Sequence, residues 1–375
     1  MASSRTRILH VVGAMNPGGV ETWLMQLLRH IDRGRYRMDF LVHTTKPGVY
    51  DEEIRSLGSK IIPCLHHRRP FVYARNFLSI LRRHGPYDLV HSHVHLFSGY
   101  VLQLARRAGV PIRISHSHND TSRQRRGPVD RLYRAMMRRW LRHHSTERLA
   151  CSRQAAMALY GDAPESERLW KVVSYGRDLS PFRLPVDKSS VRAELGIPEQ
   201  AFVVGHVGSF TEQKNHLLWI EVAAEIARRD PNARFLLVGD GKLRPTIEQR
   251  AEQLNLSDKV VFARTRTDVP RLMLGATDLF LFPSLWEGLG LALVEAQAAG
   301  LPCVVADVVP READIATPLL LRLPLSSPAP VWADAILEVR DASPRMKRNE
   351  ALASVEGSSF NIENSLQHME AIYRA

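Results

Sequence analysis

The chain has 375 residues, of which 45% are hydrophobic and 24% are charged, and its formal net charge is +12. This length favours two domains, and this composition excludes a disordered chain. No apolar run reaches the roughly 18 residues that a transmembrane helix needs. The 3 cysteines lack metal-ligand spacing, so disulfides and a cysteine zinc site are not expected. We therefore expect a globular protein of the reducing cytosol.

The positive charge is concentrated in one half of the chain. Residues 1–182 carry 30 Lys and Arg against 14 Asp and Glu, whereas the remainder carries 21 against 25. Such an asymmetry suggests an anionic partner, either a nucleic acid or an anionic membrane surface. Few aromatic residues interleave with the arginines, as base stacking would need, so a nucleic acid is the less favoured partner.

The chain opens with a buried strand, predicted at residues 7–13, followed by a glycine loop and a helix at 20–31. This is the usual start of a doubly wound parallel sheet. The loop is not G-x-G-x-x-G, which argues against a dinucleotide fingerprint. Gly18 and Gly19 could let backbone amides reach a phosphate or a sugar, although a turn without a ligand fits the local sequence equally well.

Strand-like runs then alternate with helix-like segments, as in parallel βαβ units. The runs lie at residues 38–43, 60–65, 88–93, 111–116 and 148–152. We predict a Pro-rich linker at residues 175–188, after which the alternation of strand-like and helix-like segments begins again. The later runs lie at residues 202–208, 234–239, 259–263 and 278–282.

Two strand ends of the first half are rich in histidine, with His91 and His93 at one strand end and His116 and His118 at the next. They could be hydrogen-bonded strand-end residues, zinc ligands or residues of a ligand crevice. Zinc is disfavoured because no acidic or cysteine partner shares the spacing. We prefer the crevice, since the carboxyl ends of parallel strands border it.

Residues 129–143 predict an amphipathic helix. The apolar face comprises Val129, Leu132, Tyr133, Met136, Met137, Trp140 and Leu141. The opposite face carries five arginines, at positions 131, 134, 138, 139 and 142, and the basic run 122–126 precedes the helix. The helix either packs on the core with its basic face in solvent or places that basic face near anionic lipid headgroups. The two interpretations are compatible.

Residues 283–300 predict a loop and a nearly uniformly apolar helix that begins near Gly288 and Gly290. Glu287 lies at the helix entrance and Glu295 within it, roughly 12 Å further along. Two carboxylates at that separation can each accept hydrogen bonds from a different hydroxyl-bearing group of one ligand. An anionic group between them would lie at the helix N-terminus, which favours negative charge. The alternative is that both glutamates are structural. Lys214, in a strand-to-helix loop, is either a diphosphate counterion or a solvated lysine.

The pattern P-S-x-x-E-G-x-G followed by E-A-x-A-x-G-x-P, at residues 283–302, resembles the donor-binding segment of retaining glycosyltransferases of family 4. The resemblance implies the GT-B fold, an α/β architecture of two Rossmann-like, doubly wound parallel-sheet domains facing a cleft. Residues 1–182 would bind the acceptor and residues 183–358 the nucleotide sugar. The helix in 359–375 would cross back to the first domain.

The resemblance also implies roles for individual residues. Glu287 would contact the donor sugar, Glu295 the ribose, and His116, or alternatively His118, the transferred sugar. Ser209 stands where the family usually has arginine, so either Arg264 or Arg266 supplies that cation or diphosphate affinity is weaker. The remaining donor-site candidates are Lys214, Gly288, Leu289 and Gly290 for the diphosphate, and Gly18 and Gly19 in the loop that faces the cleft.

The implied activity is retaining transfer of a hexose from a nucleotide-diphosphate sugar, with a UDP-sugar favoured over a GDP-sugar. The acceptor would be a lipid-linked or polysaccharide-precursor sugar at the cytoplasmic membrane face. No metal or other cofactor is expected, and front-side attack is favoured because no second carboxylate suits a double displacement. The alternatives are a GT-B nucleotide-sugar 2-epimerase, against which the two glutamates argue, and an inactive basic protein that binds membrane or nucleic acid.

Overall fold

The computed structural model describes residues 5–119, 127–161, 169–343 and 345–374. The chain forms two compact units. The first comprises the residues up to Arg177 together with the segment from Ile362, and the second is Asp178–Asn361. The first boundary lies inside the predicted linker. The basic run 122–126 lies outside the described residues.

The first unit is built on a parallel sheet in which seven strands are described. The strands are β1 (Thr6–Val12), β2 (Tyr36–Val42), β3 (Ile61–Pro63), β4 (Leu89–Ser92), β5 (Ile112–Ser117), β6 (Glu147–Ala150) and β7 (Lys171–Val172). Their order across the sheet is β3-β2-β1-β4-β5-β6-β7. The central strands β1, β4 and β5 are buried along most of their length, because helices cover both faces of a parallel sheet.

The connecting segments of the first unit form helices, as the sequence predicts for βαβ units. They are α1 (Gly19–His30), α2 (Asp51–Ser56), α3 (Pro70–His84), α4 (Ser98–Arg107), α5 (Pro128–His144) and α6 (Arg153–Tyr160), and the segment after residue 361 adds the helix Ile362–Arg374. That helix packs in the first unit, where Ser365 Oγ accepts a bond from Gly176 N and donates one to Ser174 O.

The second unit has a parallel sheet with six described strands in the order β10-β9-β8-β11-β12-β13. These are β8 (Val203–Val207), β9 (Arg234–Val238), β10 (Val260–Phe262), β11 (Leu279–Phe282), β12 (Cys303–Ala306) and β13 (Leu320–Leu323). The helices are α7 (Lys188–Glu194), α8 (His216–Arg229), α9 (Arg244–Gln253), α10 (Val269–Gly275), α11 (Leu291–Ala298), α12 (Ala329–Asp341) and α13 (Arg348–Glu356), so the final helix is α14. Two doubly wound parallel sheets confirm the predicted fold class.

Helix α5 differs from the sequence expectation. Its apolar face is buried only in the second half, at Met137 and Leu141, whereas Val129 and Leu132 are 83% and 74% exposed. Arg134, assigned to the solvated face, is buried and bonds Asp130. Periodicity identifies a continuous apolar stripe, but the neighbouring elements cover only part of it.

Across the described residues, no helix is both long enough and apolar enough to cross a membrane.

Candidate active site

In the second unit, the strand order reverses between β8 and β11, which are direct neighbours. The crevice outside the carboxyl ends of such a pair is where open α/β sheets bind ligands. The loop after β8 contains Ser209 and Lys214, and the loop after β11 contains Glu287 and Gly288. The fold therefore brings the two predicted donor-binding segments to the same edge of one sheet.

Lys214 and Glu287 form an ion pair, with Lys214 Nζ 2.5 Å from Glu287 Oε1. Their side chains are only 15% and 6% exposed. Gln213 Nε2 donates to the other carboxylate oxygen at 3.1 Å, and Lys214 Nζ lies 5.0 Å from the centre of the Phe282 ring. A nearly buried ion pair with further hydrogen bonds is a fixed arrangement of charge, because breaking it would leave one charge uncompensated.

The two loops are also tied together through their backbones. Leu285 N donates to Gln213 O at 2.8 Å, and Asn215 Nδ2 donates to Pro283 O at 3.1 Å. Asn215 has a φ of +53°, a left-handed conformation that asparagine tolerates well, and α8 begins directly after it. These bonds fix where Lys214 and Glu287 stand relative to the strand ends.

Helix α11 begins directly after Gly290, whose φ of +89° favours glycine. Among the described residues, no side chain caps this N-terminus, and its first turn contains no acidic residue. Gly288 and Leu289 are buried in the approach to the helix. The helix dipole and the first amides thus make a site where an anion is favoured.

The two glutamates of the segment differ in burial. Glu287 is buried, whereas Glu295, which the sequence placed in a helix buried on most sides, is only partly buried. The helix itself is buried as expected, since its apolar residues are almost wholly inaccessible. Glu295 therefore lies on the accessible side of an otherwise buried helix.

Gln297 is a residue of this region that the sequence analysis missed. Its side chain is fully buried and forms four hydrogen bonds, donating to Leu293 O and Ala313 O and accepting from Ile315 N and Ala316 N. It thereby fixes the loop after β12 to α11. A buried glutamine in an apolar helix was the available signal, because such an amide needs partners.

A third loop, after β9, packs closely against the loop after β8. Gly239 has a φ of +141°, and a Cβ placed on it would lie 2.0 Å from Gly208 O. Gly239 N donates to Arg264 O at 2.8 Å, so the loop after β10 lies beside the loop after β9. Ser209 and Arg264 are both exposed at this edge.

Arg266, the other candidate for the missing cation, is engaged elsewhere. Its guanidinium bonds Asp268 at 2.8 Å and Glu194 at 2.7 Å. The hydrogen bonds to Asp268 and Glu194 raise the pKa of Arg266, and Arg266 in turn lowers the pKa of Asp268 to about 2. Of the two arginines named from the sequence, Arg264 is the one with an exposed side chain at the site edge.

Two buried histidines lie beside Lys214. His206 Nδ1 bonds Leu281 O at 3.0 Å, and the His216 ring stacks on Phe210 with 4.2 Å between centroids. Burial, with a smaller effect of Lys214, lowers the pKa of His216 to about 4, and burial lowers the pKa of His206 as well. Both imidazoles are therefore neutral at pH 7 and add no positive charge beside Lys214.

The first unit brings together the four predicted histidines and a fifth, His10, that the sequence analysis missed. Two hydrogen-bonded chains run through them. One joins Tyr175, His118, His93 and His10, and the other joins Tyr373, His91 and His116. Burial lowers the pKa of all five histidines, to about 3 for His10 and His118. We call these five residues the histidine cluster.

His116 and His118, the two candidates for the sugar contact, have different surroundings. Both ring nitrogens of His118 are hydrogen-bonded, to His93 and Tyr175. His116 Nε2 has no hydrogen-bond partner among the described residues, and its ring is covered by the edge of Trp23 at 5.3 Å. His116 is fully buried, so its role towards a sugar stays a prediction.

The glycine loop after β1 leads into α1. Gly18 and Gly19 are both exposed. Glu21 Oε2 lies only 2.5 Å from where a Cβ of Gly18 would be, and burial raises the pKa of this glutamate. The loop therefore holds a half-buried carboxyl group against its own backbone.

Comparison with known proteins decides the family. Residues 187–322 match the family model described as glycosyl transferases group 1, and residues 18–176 match the glycosyl transferase 4-like domain. A Bacillus subtilis (strain 168) protein named "Putative glycosyltransferase EpsF" is 37% identical over 352 residues, which cover 93% of this chain and 91% of the relative. This chain belongs to glycosyltransferase family 4.

Other family relatives and solved structures agree with this assignment. An Escherichia coli protein named UDP-Gal:alpha-D-GlcNAc-diphosphoundecaprenol alpha-1,3-galactosyltransferase is 28% identical over 323 residues, which cover 81% of this chain and 80% of the relative. The Anabaena Alr3699/HepE structure in complex with UDP and glucose has a TM-score of 0.81 at 20% identity, and covers 98% of this chain and 99% of that chain. The chain is a GT-B glycosyltransferase that acts on nucleotide sugars.

Proposed function

We propose that the protein is a retaining glycosyltransferase that moves a hexose from a UDP-sugar to a lipid-linked or polysaccharide-precursor sugar. The observation that carries the proposal is the ion pair of Lys214 and Glu287 beside the N-terminus of α11. The E. coli relative is named for a UDP-sugar donor and a diphosphoundecaprenol acceptor, which supports both substrate classes.

The donor's diphosphate would lie at the N-terminus of α11, near the amides of residues 288–291. Helix dipole and amides favour its negative charge, and Lys214 adds a full positive charge. Glu287 would accept hydrogen bonds from sugar hydroxyls, and Glu295, on the accessible side of α11, from the ribose hydroxyls. The hydrogen bond from Lys214 fixes the Glu287 side chain in one position before the sugar binds.

The chemical step would break the bond between the anomeric carbon and the diphosphate oxygen, while the acceptor hydroxyl oxygen bonds that carbon on the same face and passes its proton to the departing diphosphate. Negative charge grows on the departing diphosphate. Charges and dipoles that are already oriented stabilise this change without reorganisation, which is where most of the acceleration would arise. Because Lys214 and the amides serve the diphosphate, the transfer step would need no divalent metal.

Arg264 is the proposed substitute for the arginine that the family usually has where Ser209 stands. Its side chain is exposed, and its carbonyl oxygen accepts from Gly239 N at 2.8 Å, beside the loop of Ser209. Arg266 would not serve, because Asp268 and Glu194 hold it.

The first half of α5 is the proposed contact with an anionic membrane surface. Val129, Leu132, Tyr133 and Met136 form an exposed apolar stripe. Arg131, Arg139 and Arg142 are exposed on the same helix. Apolar side chains inserted among headgroups, flanked by arginines that attract anionic lipids, are the features of a helix that lies in the membrane interface. This contact would place the enzyme at the cytoplasmic face, near a lipid-linked acceptor.

The test of the donor site is thermal stabilisation of the purified protein by UDP, GDP, ADP, CMP and their sugars, with and without EDTA. A ligand that binds only the folded protein raises its melting temperature. We expect UDP and one UDP-sugar to stabilise it, EDTA to have no effect, and Glu295→Ala to abolish the response. No response to any nucleotide would contradict the proposal and would favour a binding protein without transferase activity.

A further inference from the structure

The carboxyl-end region of β1, β4 and β5 holds five imidazoles within a small volume. His10, His91, His116 and His118 are buried, and His93 is partly exposed. Ring centroids lie 4.1 Å apart for His91 and His93 and 4.4 Å apart for His116 and His118. The catalytic assignment uses at most one of these rings.

The ring nitrogens converge closely enough to share an ion. One nitrogen from each of His10, His91 and His93 lies within 4.8 Å of the others, and the same holds for His93, His116 and His118. Two of these nitrogen pairs are in hydrogen-bond contact, His10 Nδ1 with His93 Nε2 at 3.0 Å and His93 Nδ1 with His118 Nε2 at 2.9 Å. Two imidazole nitrogens on a tetrahedral zinc ion, each about 2.0 Å from it, are roughly 3.3 Å apart.

Hydrogen bonds among the described residues leave two ring nitrogens of the histidine cluster without a partner. Each of the two chains starts at a tyrosine hydroxyl, passes through imidazoles and ends at a buried ring nitrogen that has no partner among the described residues. This nitrogen is His10 Nε2 in one chain and His116 Nε2 in the other. A neutral imidazole has one donor and one acceptor, so each chain can satisfy all its nitrogens except the last. A buried polar atom without a partner is unfavourable and calls for an explanation.

The surroundings are those of metal-binding histidines. A histidine that binds a metal through one ring nitrogen usually has the other fixed by a hydrogen bond, which sets the tautomer. Tyr175 holds His118 Nδ1 in this way, and Tyr373 holds His91 Nδ1. His93 is both the residue common to the two three-histidine groups and the partly exposed one, so an ion would enter there.

We propose that the histidine cluster is a binding site for one divalent transition metal ion of the zinc type, with His93 as the shared ligand and either His10 and His91 or His116 and His118 completing the set. Imidazole nitrogens suit zinc, copper and nickel, whereas magnesium and calcium prefer oxygen ligands. The sequence disfavoured zinc because no carboxylate or cysteine shared the spacing. The folded chain supplies a third imidazole from a different strand instead.

A metal ion bound by His93, His116 and His118 would affect the activity of the enzyme. This effect alone rests on the proposed function. The ion would take the imidazole that is the candidate for the sugar contact. Zinc would then lower glycosyl transfer, and a chelator would restore it.

The test is direct metal binding by the full chain, independent of any activity. Protein freed of metal by a chelator is titrated with zinc chloride against a chromophoric chelator, and a second sample with magnesium chloride. We expect one zinc ion per chain, no competition from magnesium, and X-ray absorption of the zinc-loaded protein that reports nitrogen ligands at about 2.0 Å. Zinc binding no tighter than magnesium binding would overturn the proposal.

His93→Gln should weaken zinc binding at least about 100-fold, because loss of a mere supporting hydrogen bond already weakens metal sites 10- to 100-fold. The control is His30→Gln, which removes an exposed histidine of the same unit. Retained affinity in His93→Gln would refute the site. If circular dichroism shows that His93→Gln does not fold, His10→Gln and His118→Gln replace it, each removing a ligand from one group. At least one of them must weaken binding, and unchanged binding in both would refute the site.

Discussion

Lys214 Nζ lies 2.5 Å from Glu287 Oε1, although the two residues are 73 positions apart in the chain. The resemblance to family 4 gives them different tasks, one towards the diphosphate and one towards the sugar. Without a donor, each compensates the charge of the other. The ion pair therefore holds both side chains in position before the donor arrives.

The first prediction concerns removal of Lys214. Lys214→Ala should lower kcat for transfer by about 100-fold or more, because it deletes a charge directed at the leaving group. It should also lower the free energy of unfolding by about 3 kcal/mol, since it leaves the nearly buried Glu287 carboxylate without its partner. The measurements are initial rates with the identified donor and urea denaturation. Lys188→Ala, at an exposed position of the same unit, is the control.

A double substitution separates the two effects. Lys214→Met combined with Glu287→Gln removes both charges, so it should cost less stability than the sum of the single changes while activity stays low. Additive losses of stability would mean that the two groups do not act as a pair in solution.

The second prediction concerns the close approach of the loops after β8 and β9. Gly239→Ala would place a methyl group 2.0 Å from Gly208 O and should destabilise the protein by about 2 kcal/mol more than a glycine change without such a contact. It should also weaken stabilisation by UDP, because the loop of Ser209 must move. Gly196→Ala is the matched control, with a φ of +67° and no described atom within 4 Å of the added Cβ. Equal effects of the two changes would contradict this account.

The third prediction is a pH dependence set by His216. Burial lowers its pKa to about 4, whereas an unfolded histidine titrates near 6.5, so between these values only the unfolded chain takes up the proton. Stability due to this residue is thus fully present above pH 6.5 and falls as the pH drops towards 4. The slope is about 1.4 kcal/mol per pH unit.

His216→Gln should therefore lose less stability than the natural protein when the pH is lowered from 6.5 to 5, a difference of roughly 2 kcal/mol in chemical denaturation. His368→Gln, an exposed substitution on α14, is the control. If His216→Gln kept the full pH dependence of the natural protein, the buried imidazole would not be its cause.

The fourth prediction concerns the exposed stripe of α5. Leu132→Gln and Met136→Gln should each weaken binding to vesicles containing anionic lipid by about tenfold, because each removes an apolar side chain from the membrane interface. Added salt should weaken binding further through the arginines. Co-sedimentation with vesicles measures both effects. Leu217→Gln, at a position 52% exposed in the second unit, should change nothing.

Much of the fold was predictable because parallel strands buried on both faces are short apolar runs separated by helical segments. The segment around Glu287 and Glu295 was predictable for a related reason, since carboxylates stand out in an apolar stretch. His10 was not, because a single histidine inside the apolar strand β1 has no sequence neighbour that marks a cluster. The ion pair of Arg266 and Glu194 was not predictable either, because the two residues are 72 positions apart in the chain and local sequence does not show that they meet.

The path of the chain has a consequence for its synthesis. The second unit is continuous, from Asp178 to Asn361, whereas the first needs α14, whose Tyr373 hydroxyl bonds His91. On the ribosome, the strands of the first sheet emerge before residues 178–361 are made, but the first unit stays without α14 until residues 362–374 follow. A release after residue 361 would leave the later unit complete and the earlier one open, so folding of the earlier unit should depend on residues made after the later one.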